Sequence, residues 1–209
     1  MFGSMRRTED IQTSIKKACT PEDTAPKRKH VRACIVYTWE RKSSKEFWES
    51  MKVLPLKEND VALFKALTLI HKVLQEGHPS CLIGGFKNMD WIASLGHTQS
   101  PDRRYQILIP EYVDYLLQKL RFHHNHRGFN GTFEYEEYTS LRSVSDPNEG
   151  FDAVYDLQLL QEALDHLGRD TLAPAKKNIS EAITSALVPI VSETYGIYKF
   201  LISMLRGLY

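Results

Sequence analysis

Apolar residues recur along much of this chain at three- to four-residue spacing, with no sustained strand-like alternation, so the pattern predicts helices from end to end. Residues 8–19 place Ile11, Ile15 and Ala18 on one side of a short amphipathic helix, too poor in apolar bulk to insert into a bilayer. Residues 26–42 predict the next helix, with Pro26 in its first turn, where a missing N–H loses no partner. The ACIVYTW run within it has strand propensity, but the length, the proline start and the charged flanks predict a buried helix. Ser43 or Ser44 can cap SKEFWESMKVL, which Pro55 ends. The clearest stripe spans residues 59–76. There Val61, Phe64, Leu67, Ile70 or His71, and Leu74 share one face, Asn59 caps the start and Gly77 stops the end.

Two short helices, near 79–86 and 88–95, close at Gly96. A long one from about 102 to 122 contains Pro110, which predicts either a kink or a helix start there. HHNHRGFNG punctuates the chain, and Thr132 can cap a helix TFEYEEYTSL. SVSDPNEG reads as a turn, residues 149–168 as a helix, and residues 176–207 as a final helical stretch interrupted at Pro189. A chain of 209 residues can build one domain with a sizeable core. Short helices with short connections predict an all-α fold, with helix pairs stacked in a superhelix.

Charge changes the picture. The net value is only +1, yet residues 1–32 carry eight Lys/Arg against four Asp/Glu, a net +4 that leaves −3 for the rest (1 − 4). The excess gathers at Lys16-Lys17 and, after a nine-residue gap, at Lys27-Arg28-Lys29-His30 and Arg32. Cations at a helix N-terminus oppose the macrodipole by about 0.3–1 kcal/mol each. A bound anion resolves that conflict, because free N–H groups, dipole and side chains then meet one phosphate. On a helical wheel, Lys27 and His30 lie about 60° apart on one side, and Arg28 and Arg32 about 40° apart on another.

Other chemistry is sparse. Cys19, Cys34 and Cys81 have no metal-ligand spacing and suit a reducing compartment. No secretory signal is legible, the Gly-Ser before Met5 reads as an expression scar over residues 1–5, and Glu193 and Lys199 interrupt the most apolar late stretch, so a cytoplasmic protein is expected. His123, His124 and His126 invite a metal, but nothing nearby completes a site, and solvated or capping imidazoles at a helix end are the expectation. In FEYEEY, Phe133, Tyr135 and Tyr138 are expected in the core, and His71 as a satisfied buried histidine. No nucleophile–base pair or paired carboxylates stand at motif spacing, so no enzyme and no cofactor are expected. Nor is nucleic-acid binding, since the cations cluster at one helix end and the pI is modest.

Lys17, nine residues, Lys27, one residue, Lys29, His30 resembles the phosphoinositide-binding motif of ANTH domains. The stretches APKRKHVRACIVYTW, HKVLQEGHPS, HRGFNGTFEYEEY, SVSDPNEG and ETYGIYKFLISMLR are similar to the huntingtin-interacting-protein-related branch, known in fungi as the Sla/End4 endocytic adaptors. The resemblance runs from about Ile11 to the C-terminus. It implies a single ANTH domain over 1–209: an ENTH/ANTH-like helical solenoid over about 8–120, then the start of a longer-helix bundle over about 121–209. Further helices of the family domain would lie beyond this chain, leaving an apolar surface near the last helix. The resemblance also implies that Lys17, Lys27, Lys29 and His30 hold phosphatidylinositol 4,5-bisphosphate on the inner face of the plasma membrane, at coated pits and cortical actin patches. Epsin ENTH domains are implied as lipid-dependent partners, with Arg28 and Arg32 as a second lipid or partner interface. Clathrin and actin would engage other regions of the full-length protein. The competing expectation is a lipid-independent helical scaffold that binds peptides.

Overall fold

The computed structural model describes residues 11–97, 100–134, 147–173 and 180–206, and among them helix is the only extended regular structure. Residues 11–18 form α1. Then come α2 (Arg28–Arg41), α3 (Lys45–Lys52), a 3-10 turn (Leu56–Glu58), α4 (Asp60–Glu76), α5 (Ser80–Lys87), α6 (Met89–Leu95), α7 (Arg103–Asn125), α8 (Pro147–Leu172), α9 (Glu181–Ser185) and α10 (Leu187–Arg206). The all-α expectation holds. The boundary expected near residue 120 falls inside α7, which packs against α4, α5, α6 and α8.

α4 is the hub, touched by α2, α5, α7, α9 and α10. Asn59 caps it as expected, accepting from the Ala62 N–H at 2.9 Å. The single stripe is an underestimate, because Lys65, Thr68, His71 and Gln75 are buried too. A helix buried on most faces needs partners for its polar groups: Lys65 Nζ, Thr68 Oγ1, His71 Nδ1 and Gln75 Nε2 have them, and Gln75 Oε1 has none among the described residues. The strand-prone run in α2 is helical because tertiary contacts hold it: Trp39 donates its indole N–H to the Glu76 carbonyl at 2.8 Å, and Thr38 Oγ1 accepts from the His78 N–H at 3.0 Å.

Several boundaries move for local reasons. Ser44 occupies the N-cap of α3, but its hydroxyl donates to the Ser80 carbonyl at 2.7 Å, while Ser43 Oγ accepts from the Lys45 N–H at 3.3 Å. Asp102 caps α7, which starts at Arg103 and runs through Pro110 instead of starting there. Pro147 opens α8, so the expected turn over residues 147–150 is helix, as suits proline in a first turn. The late break falls at Ala186, not Pro189, since a proline three residues into α10 still lies among groups without intrahelical partners. Asn130 Oδ1 accepts from the Thr132 and Glu134 N–H groups, making 130–134 a turn. The expected TFEYEEYTSL helix, with Tyr135 and Tyr138, otherwise lies outside the described residues, as does the segment 1–5. Phe133 is in the core as expected, and Val191, Tyr195 and Tyr198 form the exposed apolar surface anticipated on the last helix.

The interior is organised by a carboxylate. Glu193 of α10 is 1% exposed, and its Oε2 accepts from Lys119 Nζ at 2.7 Å and Gln75 Nε2 at 2.7 Å and lies 3.0 Å from His71 Nε2. The Tyr115 hydroxyl donates to Oε1. Only an ionised carboxylate accepts from all four at once. Burial pushes the Glu193 carboxyl up and the Lys119 ammonium down, and their contact opposes both shifts. His71 is held neutral, its pKa lowered by burial first and then by Lys119 and Lys72, and its Nδ1 pairs with the Tyr112 hydroxyl at 3.0 Å. It is the satisfied buried histidine expected. Removing one partner of such a pair costs about 3–5 kcal/mol, whereas an apolar replacement of both is often near neutral. Glu193→Leu should therefore lose about that much stability in urea unfolding, and Lys119→Met/Glu193→Leu should recover more than half of it. A double variant weaker than the single one would contradict the pairing.

Candidate functional site

The basic cluster is mounted on the loop from α1 to α2, and that loop is tied from two sides. Lys65, 1% exposed on α4, donates from Nζ to Thr20 Oγ1 at 2.9 Å and to the Glu22 carbonyl at 3.3 Å. Asp23 Oδ1 accepts from the Ser180 hydroxyl at 2.6 Å and the Ala182 N–H at 3.1 Å, at the start of α9. These tethers keep the chain extended up to Lys27, which is the N-cap of α2, with φ −62° and ψ 119°. Pro26 therefore lies just outside the helix, not in its first turn.

α2 then begins with no acidic residue in its first turn and no side-chain cap. Lys27, Arg28, Lys29 and Arg32 are exposed, as is Lys17 near the end of α1. Among the described residues, none of these five makes an ion pair within 4.0 Å or a side-chain hydrogen bond. His30 is half-buried where Lys17, Lys27 and Lys29 meet. Its pKa is lowered by burial first and then by Lys29, Lys17 and Lys27 in turn, so the fields of all three lysines reach it. The lysines thus carry positive charge with no carboxylate within 4.0 Å among the described residues, although Glu22 lies within electrostatic reach of Lys27.

Arg28 and Arg32 face a different space, as the wheel implies. They line a groove of about 870 Å³ bounded by α2, α4 and the α9–α10 junction, floored by Ile35, Leu69, Val188 and Pro189. Lys29 lines it too. At about 100° per residue Lys29 falls about 60° from Arg32, consistent with its place on the rim of this groove. On the opposite wall, Lys72 is already paired with Glu76.

The three late histidines separate. His124 stacks on Phe86 with ring centroids 3.8 Å apart, and His126 Nε2 lies 2.8 Å from Asp156 Oδ2. His123 is buried beside Phe133, and burial first, then Lys119, lowers its pKa. The expectation of solvated or capping imidazoles fails for His123, because the loop carrying Phe129 and Phe133 folds over the last turn of α7. Sequence reasoning missed Lys65, Asp23 and Ser180 as supports of the site, since a buried lysine and a distant cap leave no local signal. The three cysteines are buried, and burial pushes Cys19 and Cys34 up to about 12 and Cys81 to about 11. No helix among the described residues is long and apolar enough to cross a membrane.

Comparison with known proteins places this geometry. The SLA2 protein of Saccharomyces cerevisiae is 53% identical over 207 residues, covering 98% of this chain and 21% of that protein. Endocytosis protein end4 of Schizosaccharomyces pombe is 48% identical over 209 residues, covering 98% of this chain and 19% of its own length. The chain thus spans about a fifth of these relatives. One solved structure, described as the ENTH domain from epsin-2 in complex with phosphatidylinositol 4,5-bisphosphate, superposes with a TM-score of 0.91 at 51% identity, over 97% of this chain and 80% of the other. Another, the endocytic adaptor complex AENTH, gives 0.89 at 53% identity, over 96% and 82%. A third, helical ANTH and ENTH tubules on membranes containing that lipid, gives 0.77 at 53% identity, over 95% and 75%. The ANTH domain family matches residues 10–209, and with its helical order and its place beside the fungal adaptors, this non-enzymatic chain belongs to the ANTH family.

Proposed function

We propose that this chain is the phosphoinositide-binding membrane-recruitment domain of an endocytic adaptor, with Lys17, Lys27, Lys29 and His30 gripping the phosphatidylinositol 4,5-bisphosphate headgroup. The gathering of Lys17, Lys27 and Lys29 around His30, free of ion pairs among the described residues and on either side of a tethered α1–α2 loop, carries this reading. Relatives and neighbours described as endocytic proteins and as assemblies on this lipid support it. The domain would sit peripherally on the inner face of the plasma membrane, at coated pits and cortical actin patches, and clathrin and actin would be reached through other parts of a longer protein. Each cation near an anionic surface is worth about 1 kcal/mol, so four supply about 4. That corresponds to a dissociation constant of about 1 mM, and stable attachment would need several copies on one membrane.

The groove carries the second half of the proposal. Arg28 and Arg32, with Lys29 beside them, would hold a second headgroup shared with an epsin ENTH domain, so that lipid cements the two proteins. The solved endocytic adaptor complex AENTH and the ANTH and ENTH tubules on membranes containing this lipid, built by similar chains, support co-assembly.

Lys27→Glu with Lys29→Glu should abolish pelleting with liposomes that carry the lipid while leaving helical circular dichroism unchanged. Wild-type binding should weaken steeply with salt. Equal pelleting of variant and wild type would sink the assignment, and lipid-independent behaviour of both would favour a peptide-binding scaffold. His30 supplies a pH test. In the free protein its pKa lies below 6.5, and phosphate contact favours the charged form, so binding raises it. The extra affinity is fully present below the free-state value and is lost as pH rises through the bound-state value. His30→Ala should flatten this profile across about pH 5–7, and an unchanged profile would exclude His30 as the sensor. Finally, Arg28→Ala with Arg32→Ala should keep most single-protein liposome binding but lose co-assembly with the ENTH domain in light scattering. Undiminished complexes would refute the bridge.

A further inference from the structure

Where α7 packs on α8, three side chains of metal-binding type meet. His166 and Asp170 stand one turn apart on α8 and so share a face, and Glu111 reaches them from α7. His166 Nδ1 lies 3.9 Å from Glu111 Oε1 and 3.9 Å from Asp170 Oδ2, and one ligand atom from each residue falls within 4.8 Å of the other two. Tetrahedral ligands at about 2.0–2.2 Å from zinc stand about 3.4 Å apart, so closure asks only for small side-chain adjustments. His166 is exposed and Asp170 and Glu111 are partly so, which leaves them room to move.

Two observations bear on what this cluster could hold. Glu111 Oε2 is buried and accepts from no donor among the described residues. No lysine or arginine among them lies within 4.0 Å of Glu111, Asp114 or Asp170, although Asp114 adds a third carboxylate to the same field. The lipid site uses none of these groups.

We propose that Glu111, His166 and Asp170 form a zinc site that staples α7 to α8, with water in the fourth position. An imidazole nitrogen with two carboxylates suits a borderline divalent ion. Magnesium and calcium, which take all-oxygen shells, fit it poorly. The alternative is two carboxylates sharing a proton beside a solvated histidine.

Tag-free protein stripped with a chelator and titrated with zinc chloride in a calorimeter separates the two. One saturable equivalent is expected, with no comparable heat from magnesium or calcium. His166→Ala and Asp170→Asn should each weaken binding about 10–100-fold or more. Zinc should also raise the thermal midpoint of the wild type and not that of His166→Ala. Wild-type protein that takes up no zinc would overturn the site. So would variants that bind zinc as the wild type does, which would place the ion on other histidines.

Discussion

Four donors converge on Glu193, and each comes from a helix other than its own: His71 and Gln75 from α4, Tyr115 and Lys119 from α7. Because a buried charge left short of partners is costly, the three helices are fixed in register to one another as well as packed. Lys119 extends the network, donating to the Gly131 carbonyl at 3.0 Å and lying 4.3 Å from the Phe133 ring centroid. Gly131 itself lies flush on α4, where an added Cβ would come within 2.2 Å of the Leu74 carbonyl oxygen. A turn that close admits only glycine.

The same network reaches the surface. Gln75 Nε2 also donates to the Pro189 carbonyl at 2.9 Å, and Pro189 forms part of the groove lined by Arg28 and Arg32. The groove wall is thus anchored by the buried acceptor system. Toward its N-terminal end, α4 supplies Lys65, which holds the α1–α2 loop from beneath while Asp23 holds it against α9. One central helix therefore supports both the basic cluster and the groove. The cations at the tips keep the rotamer freedom that point-charge contacts to phosphates tolerate.

This division between a rigid base and unpaired tips suits recruitment by charge. An exposed cation paired with a neighbouring carboxylate would have to surrender that pair to a phosphate. Here Lys17, Lys27, Lys29, Arg28 and Arg32 have no such pair among the described residues. Such an exposed field is sensitive to salt, and under the proposed function its modest strength would leave stable attachment to several copies on one membrane.

The helices, the Asn59 cap and the basic cluster were legible in the sequence, because periodicity, some capping residues and charge runs are local. Asn59, the strand-prone run of α2 and His71 are examples. The partners of buried polar groups were not. Glu193 reads as an interruption of an apolar stretch, yet it is the acceptor for residues 74 to 122 positions away. Lys65 and Lys119 look like any surface lysine until packing removes water from them. Likewise Glu111 and the His166–Asp170 pair are unremarkable apart and meet only because α7 lies against α8. Local chemistry along the chain determined which segments became helices and where positive charge gathered. Only the packing of those helices decided which charges lost their water and had to find each other, because desolvation depends on neighbours far away in sequence.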